Sequence, residues 1–376
     1  MKVGLNMLFL GTGSGGVGRY AVELADALAE REEINLELFV SRDAPEELLA
    51  SSRARGAKVT RLPVKRNGRI GYLSATFVGA PFLAALNHLD IFHSPANVGP
   101  FLVPGARTLI TVHDLIWLRA GSEWDSRAAV EAMRRSTTLT VPRVDRLITD
   151  SQSSRHDIEE YLGPKLPPVD VVPLGVKPVS RSAELDEGWL RERFGIGPGM
   201  VILCVAQKRP YKRQAALVRA LAGLPDEVVL VMPGASTPYE RELERLAGEL
   251  GVSDRVVLPQ WVSEDELDGL YRLADCFALV SELEGFGLPV LEAMARGVPV
   301  VCSNRASLPE VAGDAATVVD PDDPVAVLEA LKGALLDEEL RAERSQAGRV
   351  RAAAFSWERT AEQTVCSYRA ALQGRG

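Results

Sequence analysis

The sequence predicts an α/β protein made of two successive doubly wound domains, and three observations carry that expectation. The chain has 376 residues, more than one hydrophobic core serves. Short β-branched runs alternate with longer stretches of helical period, the pattern of parallel strands joined by crossover helices. The series starts twice, with a polar, irregular stretch from Lys177 to Glu187 between the two runs, as expected of an interdomain connection. Residues 1–175 are expected to form the first domain and residues 176–354 the second.

Val3–Leu10 opens the first series as a buried strand. The run is short and passes into Gly11-Thr12-Gly13-Ser14-Gly15-Gly16 without a cleavage-type site, so a secretion signal is not expected. Tyr20–Glu30 has helical period, and further strands are expected at Leu36–Val40, Ile91–His93, Thr108–Val112, Arg146–Thr149 and Val169–Val172. The second series places strands at Val201–Val205, Val228–Met232, Val256–Leu258, Cys276–Val280, Val298–Cys302 and Thr317–Val319. Phe355 to Leu372 reads as a closing amphipathic helix, with Trp357, Ala361, Val365 and Tyr368 on one face. Short-period repeats and low-complexity tracts are absent, which argues against a solenoid.

Composition narrows the class. Hydrophobic residues make up 46% and charged residues 25%, with a mean hydropathy of +0.01, values of a soluble globular protein. Apolar runs fall short of the roughly 20 residues that cross a bilayer. Cys204, Cys276, Cys302 and Cys366 show neither CxxC spacing nor pairing with histidine, so a zinc site or disulfide framework is not expected and a cytoplasmic location fits. The net charge of −8 is unevenly spread: residues 1–175 hold 20 basic and 20 acidic side chains, and the remainder hold 23 and 31. Residues 51–89 carry Arg53, Arg55, Lys58, Arg61, Lys65, Arg66 and Arg69 with no acidic residue. Beside the apolar stretch from Ile70 to Leu83, this basic patch suits an anionic acceptor or peripheral contact with the inner face of a membrane. A solvated basic loop beside a core helix is the plain alternative.

Four segments carry chemistry. The glycine loop matches GxGxxG between a strand and a helix, a weak signal on its own. A dinucleotide site needs an acidic residue at the end of the second strand, where this chain has Ser41-Arg42. Otherwise Gly15, Gly16 and Gly18 let the backbone approach a diphosphate at a helix N-terminus. In the second domain, Ser281-Glu-Leu-Glu284-Gly-Phe286-Gly287-Leu288-Pro289-Val-Leu-Glu292 follows a strand, where open α/β sheets bind ligands. The Phe286, Gly287 and Leu288 amides then sit at the positive end of a helix. Glu284 and Glu292 address different parts of one extended ligand, as sugar hydroxyls require. Four cations in Lys208-Arg209-Pro-Tyr-Lys212-Arg213 follow the domain's first strand and suit a departing diphosphate; a solvated basic loop is again the alternative. His113, with Asp114, ends a strand of the first domain, a position that suits structural and catalytic histidines alike.

On these residues the sequence resembles the retaining glycosyltransferases of family 4. The resemblance spans nearly the whole chain, through Gly15-Gly16-Val-Gly18, Thr111-Val-His113-Asp114-Leu, Asp150-Ser151-Gln-Ser-Ser-Arg155, Val172-Pro-Leu-Gly175-Val, the Glu284/Glu292 block and Ala306-Ser-Leu-Pro-Glu310-Val. It implies the GT-B architecture, two Rossmann-like domains facing across a cleft, with the C-terminal helix (355–376) crossing back to the first. It also implies transfer of a hexose from a nucleotide-sugar to a saccharide, lipid-linked or natural-product acceptor, with retained anomeric configuration, no metal and no other cofactor. Glu292 would bind the ribose. Glu284 and the Phe286–Leu288 backbone would hold the donor sugar and phosphates. Lys212, with Arg209 as partner and Lys208 in competition, would neutralise the diphosphate; Gly16 would contact it from the first domain, and His113 would lie near the transferred sugar. Where similar proteins have Gly followed by Arg or Thr, this chain has Ala206-Gln207. Glu282 competes with Glu284, but the spacing to Glu292 fits Glu284 alone. Alternatives are an NAD(P)-dependent oxidoreductase using the glycine loop, a non-catalytic nucleotide-sugar binder, and an epimerase or phosphorylase of the same architecture. Nucleic acid is not expected as a partner.

Overall fold

A computed structural model describes residues 1–11, 15–66, 69–121, 126–177 and 185–374. They gather into two compact units, the first from Met1–Gly121, Asp125–Gly175 and Phe355–Gly376 and the second from Val176–Ala354.

The first unit is built on a seven-stranded sheet of β1 (Lys2–Met7), β2 (Asn35–Ser41), β3 (Lys58–Leu62), β4 (Ile91–Ser94), β5 (Arg107–Thr111), β6 (Arg146–Thr149) and β7 (Val169–Val171). Every pairing is parallel. In β1, Val3 to Met7 are all buried, as happens when helices cover both faces of a sheet. The spatial order is β3-β2-β1-β4-β5-β6-β7. The chain steps outward from β1 to β3 and then returns to β4, so the direction reverses between β1 and β4, and ligands of such sheets bind beyond the carboxyl ends at that reversal. Strand β3 was not expected from the sequence. It is an edge strand, half-buried along most of its length, and its Lys58 and Arg61 disguise the apolar alternation.

The structure also changes the meaning of the basic patch. Arg53 and Arg61 pair with Glu46, Arg55 with Glu30, and Lys58 with Glu37. Much of the positive charge that stands together in the sequence is offset by acids from elsewhere in the unit.

The closing helix, Trp357–Gln373, packs in this first unit, against the helix Gly15–Ala29 and strands β5 and β6. Its expected face is buried throughout: Trp357, Ala361, Val365 and Tyr368 are between 0% and 7% exposed. A buried polar chain fixes its position. Tyr368 Oη lies 2.8 Å from His93 Nδ1, His93 Nε2 lies 2.8 Å from Thr111 Oγ1, and that hydroxyl lies 3.0 Å from Tyr20 Oη. At the other end, Thr360 Oγ1 donates to Pro173 O at 2.8 Å.

The second unit repeats the plan with β8 (Val201–Leu203), β9 (Val229–Val231), β10 (Val256–Val257), β11 (Cys276–Leu279), β12 (Val300–Ser303) and β13 (Thr317–Val319). The order β10-β9-β8-β11-β12-β13, again all parallel, reverses between β8 and β11. Gly348 lets the helix Glu338–Ala352 lie against Met294, 3.3 Å from where a Cβ would stand, so the helix that follows β11 is held from outside. Among the described residues, no helix is long and apolar enough to cross a membrane.

Gly175 ends the first unit's second segment where the backbone of Ser356 and Trp357 passes, leaving no room for a Cβ. Gly175→Ala is expected to lower stability by about 1–3 kcal/mol through forced separation of these backbones. A shift in the urea unfolding midpoint measures it, and an unchanged midpoint would contradict this packing.

Candidate functional site

Both cation and carboxylate segments of the second unit stand at the β8/β11 reversal. After β8, a 3-10 turn, Pro210–Lys212, ends in Arg213 with φ of +55°. The Gln214 side chain braces this turn: its Oε1 accepts from Arg209 N at 3.3 Å and its Nε2 donates to Gln207 O at 2.9 Å. After β11 comes the Glu284 segment. Lys212 Nζ donates to Glu284 Oε1 at 2.7 Å, and Ser281 Oγ donates to the same oxygen at 2.9 Å. The two charged side chains are only 13% and 11% exposed, so their attraction acts in a medium far less screening than water.

Hydroxyls hold the carboxylate segment from below. Ser307 Oγ lies 2.8 Å from Phe286 O and 3.2 Å from Glu284 O, and Ser303 Oγ donates to Ser281 O at 2.5 Å. Gly287 has φ of +101°, a conformation that strongly favours glycine, and a Cβ there would stand 2.7 Å from the Leu308 side chain. The helix Leu288–Ala295 starts immediately afterwards, with Pro289 in its first turn. Glu292, 5% exposed, accepts from Tyr271 Oη at 2.8 Å. The arrangement presents one ammonium, two oriented carboxylates and a helix N-terminus at a single sheet reversal, a set suited to a ligand carrying both phosphate and hydroxyl groups.

Lys208 has a different task from the one expected of it. Its side chain is fully buried, with Nζ donating to Gly234 O at 2.6 Å and Pro259 O at 2.7 Å and Glu240 3.4 Å away. Burial lowers its pKa, with Glu240 opposing. It ties together the loops that follow β9 and β10, so its assignment as a donor-binding group is withdrawn. Arg209 keeps its place at the head of the 3-10 turn beside Lys212. Glu282, the competing carboxylate, faces Arg213 at 3.5 Å and Arg305 at 3.8 Å, in a surface cluster that Asp320 and Asp322 complete.

In the first unit, His113 follows β5 and is 6% exposed. Its Nδ1 lies 2.7 Å from Asp150 Oδ2 and its Nε2 lies 3.4 Å from Pro95 O, while the Tyr20 ring meets it edge-on at 4.7 Å. Burial favours the neutral ring, but Asp150, with Asp114 and the Pro95 carbonyl adding to it, raises the pKa on balance. Both ring nitrogens face acceptors, the arrangement a doubly protonated imidazole needs. Ser154 Oγ holds His113 O at 2.8 Å, and Asn97 Oδ1 accepts from His113 N at 3.0 Å. Asp150, Ser154, Ser281 and Ser307 stand inside motifs visible in the sequence, but their tasks show only in the fold. Tyr271 and Asn97 carried no local signal.

The glycine loop is described from Gly15 onward and at Gly11; Thr12, Gly13 and Ser14 lie outside the described residues. Gly15 has φ of +60°, and space is open where Cβ atoms would project from Gly15 and Gly16, at the start of the helix Gly15–Ala29. Beyond β2, the Asp43 carboxylate accepts from Arg66 N at 3.1 Å.

Two family models match in succession: Glycosyltransferase Family 4 over residues 14–179 and Glycosyl transferases group 1 over residues 190–351. A D-inositol 3-phosphate glycosyltransferase of Actinosynnema mirum is 31% identical, over 95% of this chain and 93% of its own. The O-antigen chain mannosyltransferase B of Escherichia coli is 46% identical, over 29% of each chain. Among solved structures, Anabaena HepE in complex with UDP and glucose superposes with a TM-score of 0.75 at 19% identity, covering 98% of this chain and 100% of the other. The fold is therefore that of the two-domain, Rossmann-like GT-B proteins. The chain belongs to the family 4, group 1 glycosyltransferases, and neither an oxidoreductase nor a mere binder is favoured.

These geometries make two stability predictions. Lys208→Met removes the ammonium from Gly234 O, Pro259 O and Glu240 and is expected to destabilise by about 2–3 kcal/mol in urea unfolding; wild-type stability would refute the tie. His93 and His113 act oppositely as pH falls. Burial, with the charge of His113 adding to it, holds His93 at about 3. Below pH ~6.5 the unfolded chain thus takes up a proton that the folded one refuses, removing about 2 kcal/mol by pH 5. The raised value of His113 gives stability that is complete below ~6.5 and is lost as pH rises through the folded value. His93→Gln should flatten the fall in stability between pH 7 and 5, and His113→Gln should steepen it. Equal slopes in the two variants would disprove this opposition.

Proposed function

We propose that the protein transfers a hexose from a nucleoside-diphosphate sugar to a hydroxyl of a saccharide, lipid-linked or small-molecule acceptor, retaining the anomeric configuration and using no divalent metal. The observation that carries this reading is the partly buried Lys212–Glu284 pair at the β8/β11 reversal. Lys212, assisted by Arg209, offsets the charge that gathers on the departing diphosphate. Glu284, aimed by Ser281, accepts hydrogen bonds from the sugar and fixes its orientation, while Glu292, aimed by Tyr271, accepts the ribose diol. The helix start at Gly287–Leu288 offers its positive end to a phosphate. In the first unit, the open backbone at Gly15 and Gly16 suits a phosphate, and His113 is the candidate to lie beside the transferred sugar.

A nucleotide-sugar panel, followed by donor turnover with and without a chelator, tests this reading. Lys212→Ala and Glu284→Ala are each expected to lower kcat by about 10²–10³ with unfolding midpoints preserved. Turnover should survive chelation, and NMR of the product should show the donor's anomeric configuration. Near-normal transfer by Glu284→Ala would sink the assignment.

A further inference from the structure

Two loops of the second unit hold their backbone in a conformation that does not suit their residues. Among the described residues of that unit, Arg213 (φ of +55°) and Ala306 (φ of +51°) alone adopt positive φ without being glycine, at a steric cost that glycine avoids. Such a cost persists only where the surroundings hold the residue in place. Arg213 directly follows Lys212, and its Nη2 lies 3.0 Å from Asp322 Oδ1 and 3.5 Å from Glu282 Oε2. Ala306 stands between Ser307, which braces the Glu284 and Phe286 carbonyls, and Arg305. Arg305 Nη2 donates to Asp320 Oδ1 at 3.0 Å and to Asp322 Oδ2 at 3.3 Å, while its Nε lies 3.8 Å from Glu282. Glu282 and Asp322 thus each meet both arginines, closing a ring of alternating charge across the loops that follow β8, β11, β12 and β13. Isolated pairs this exposed contribute little, but shared partners make these a network.

We propose that Arg213 and Arg305 are positioning residues, which through this ring set Lys212 against Glu284. The proposal rests on the reading of that pair as the group that meets the departing diphosphate and the sugar. Arg213 is the next residue after Lys212, and Glu282 stands two residues before Glu284, so the ring spans the same two loops as the inner pair. The inner pair is 11–13% exposed and the Arg213–Glu282 tie 36–42%, one enclosed and one nearer the surface. The backbone adds a third tie, since Glu282 N donates to Tyr211 O at 2.8 Å, inside the turn that carries Lys212. One tie fixes only the distance between two loops; several, set apart from each other, also fix how the loops are turned. That angle decides whether Lys212 and Glu284 face one ligand together.

Donor turnover and urea unfolding of the full chain test the proposal. Arg213→Gly removes the guanidinium and relieves the backbone, so the unfolding midpoint should hold or rise while kcat falls about tenfold, with the donor KM within about twofold of wild type. A residue that merely shapes the turn would give another result, because glycine serves that turn at least as well. Arg305→Gln, which leaves the turn untouched, should lower kcat to a similar degree, and the double variant should be little worse than either, since both break one ring. Arg213→Lys should recover part of the loss. A readout independent of turnover is the midpoint shift caused by Glu284→Gln, which Arg213→Gly should reduce by roughly half or more. Wild-type kcat in Arg213→Gly or in Arg305→Gln, a raised donor KM at unchanged kcat, or an undiminished Glu284→Gln shift overturns the proposal. A wild type that turns over no nucleotide-sugar defeats the functional reading alone, and the unfolding cycle still decides for or against the ring.

Discussion

A strand can join its neighbour in parallel only by a crossover that carries the chain back to the starting edge. Every pair in both sheets obeys that constraint, so in each unit all strands deliver their carboxyl ends to one side. The order reversal then leaves a place where two successive crossovers lie on opposite faces and do not close over the strand ends. In the second unit that place lies between β8 and β11. The residues that emerge from those two strands include Lys212 and Glu284.

What the constraint brings together, short-range chemistry then refines. Lys212 and Glu284 are each mostly removed from water, and such a pair repays its desolvation only when further hydrogen bonds complete it. Ser281 supplies one of these. The loop that carries Glu284 is in turn held through its carbonyls by Ser307, so the carboxylate is aimed by the backbone as well as by its partner. Lys208 shows the same amino acid used for the opposite purpose one helical turn earlier in the chain. Its ammonium satisfies two loop carbonyls inside the unit, leaving Lys212 as the cation beside the carboxylate.

The two-fold series of strands was legible because parallel strands buried on both faces must be apolar almost throughout, and runs such as Cys276–Leu279 announce that. Strand β3 was not, because an edge strand tolerates charge on its open side. In the site, Glu284 and Glu292 could be read from their fixed distance to Gly287 and Pro289, which mark a helix start in the sequence itself. Lys208 and Lys212 could not be told apart, since both belong to one basic run and only tertiary contacts decide which ammonium is enclosed. The pairing of the basic patch was hidden for a related reason: Glu30, Glu37 and Glu46 lie outside residues 51–89 and meet its cations only in the fold.

The first unit is made of chain segments on both sides of Val176–Ala354, since the helix Trp357–Gln373 follows that stretch in the chain. During synthesis the strands from β1 to β7 emerge early, yet the surface of β5 and β6 that Trp357–Gln373 covers stays bare until the second unit has also emerged. The stretch Val176–Ala354 is continuous and can complete its core while the first unit waits. A chain ending prematurely near residue 354 would therefore be damaged most in the part made first, with His93 and Thr111 deprived of Tyr368 and exposed at the surface of an unfinished core.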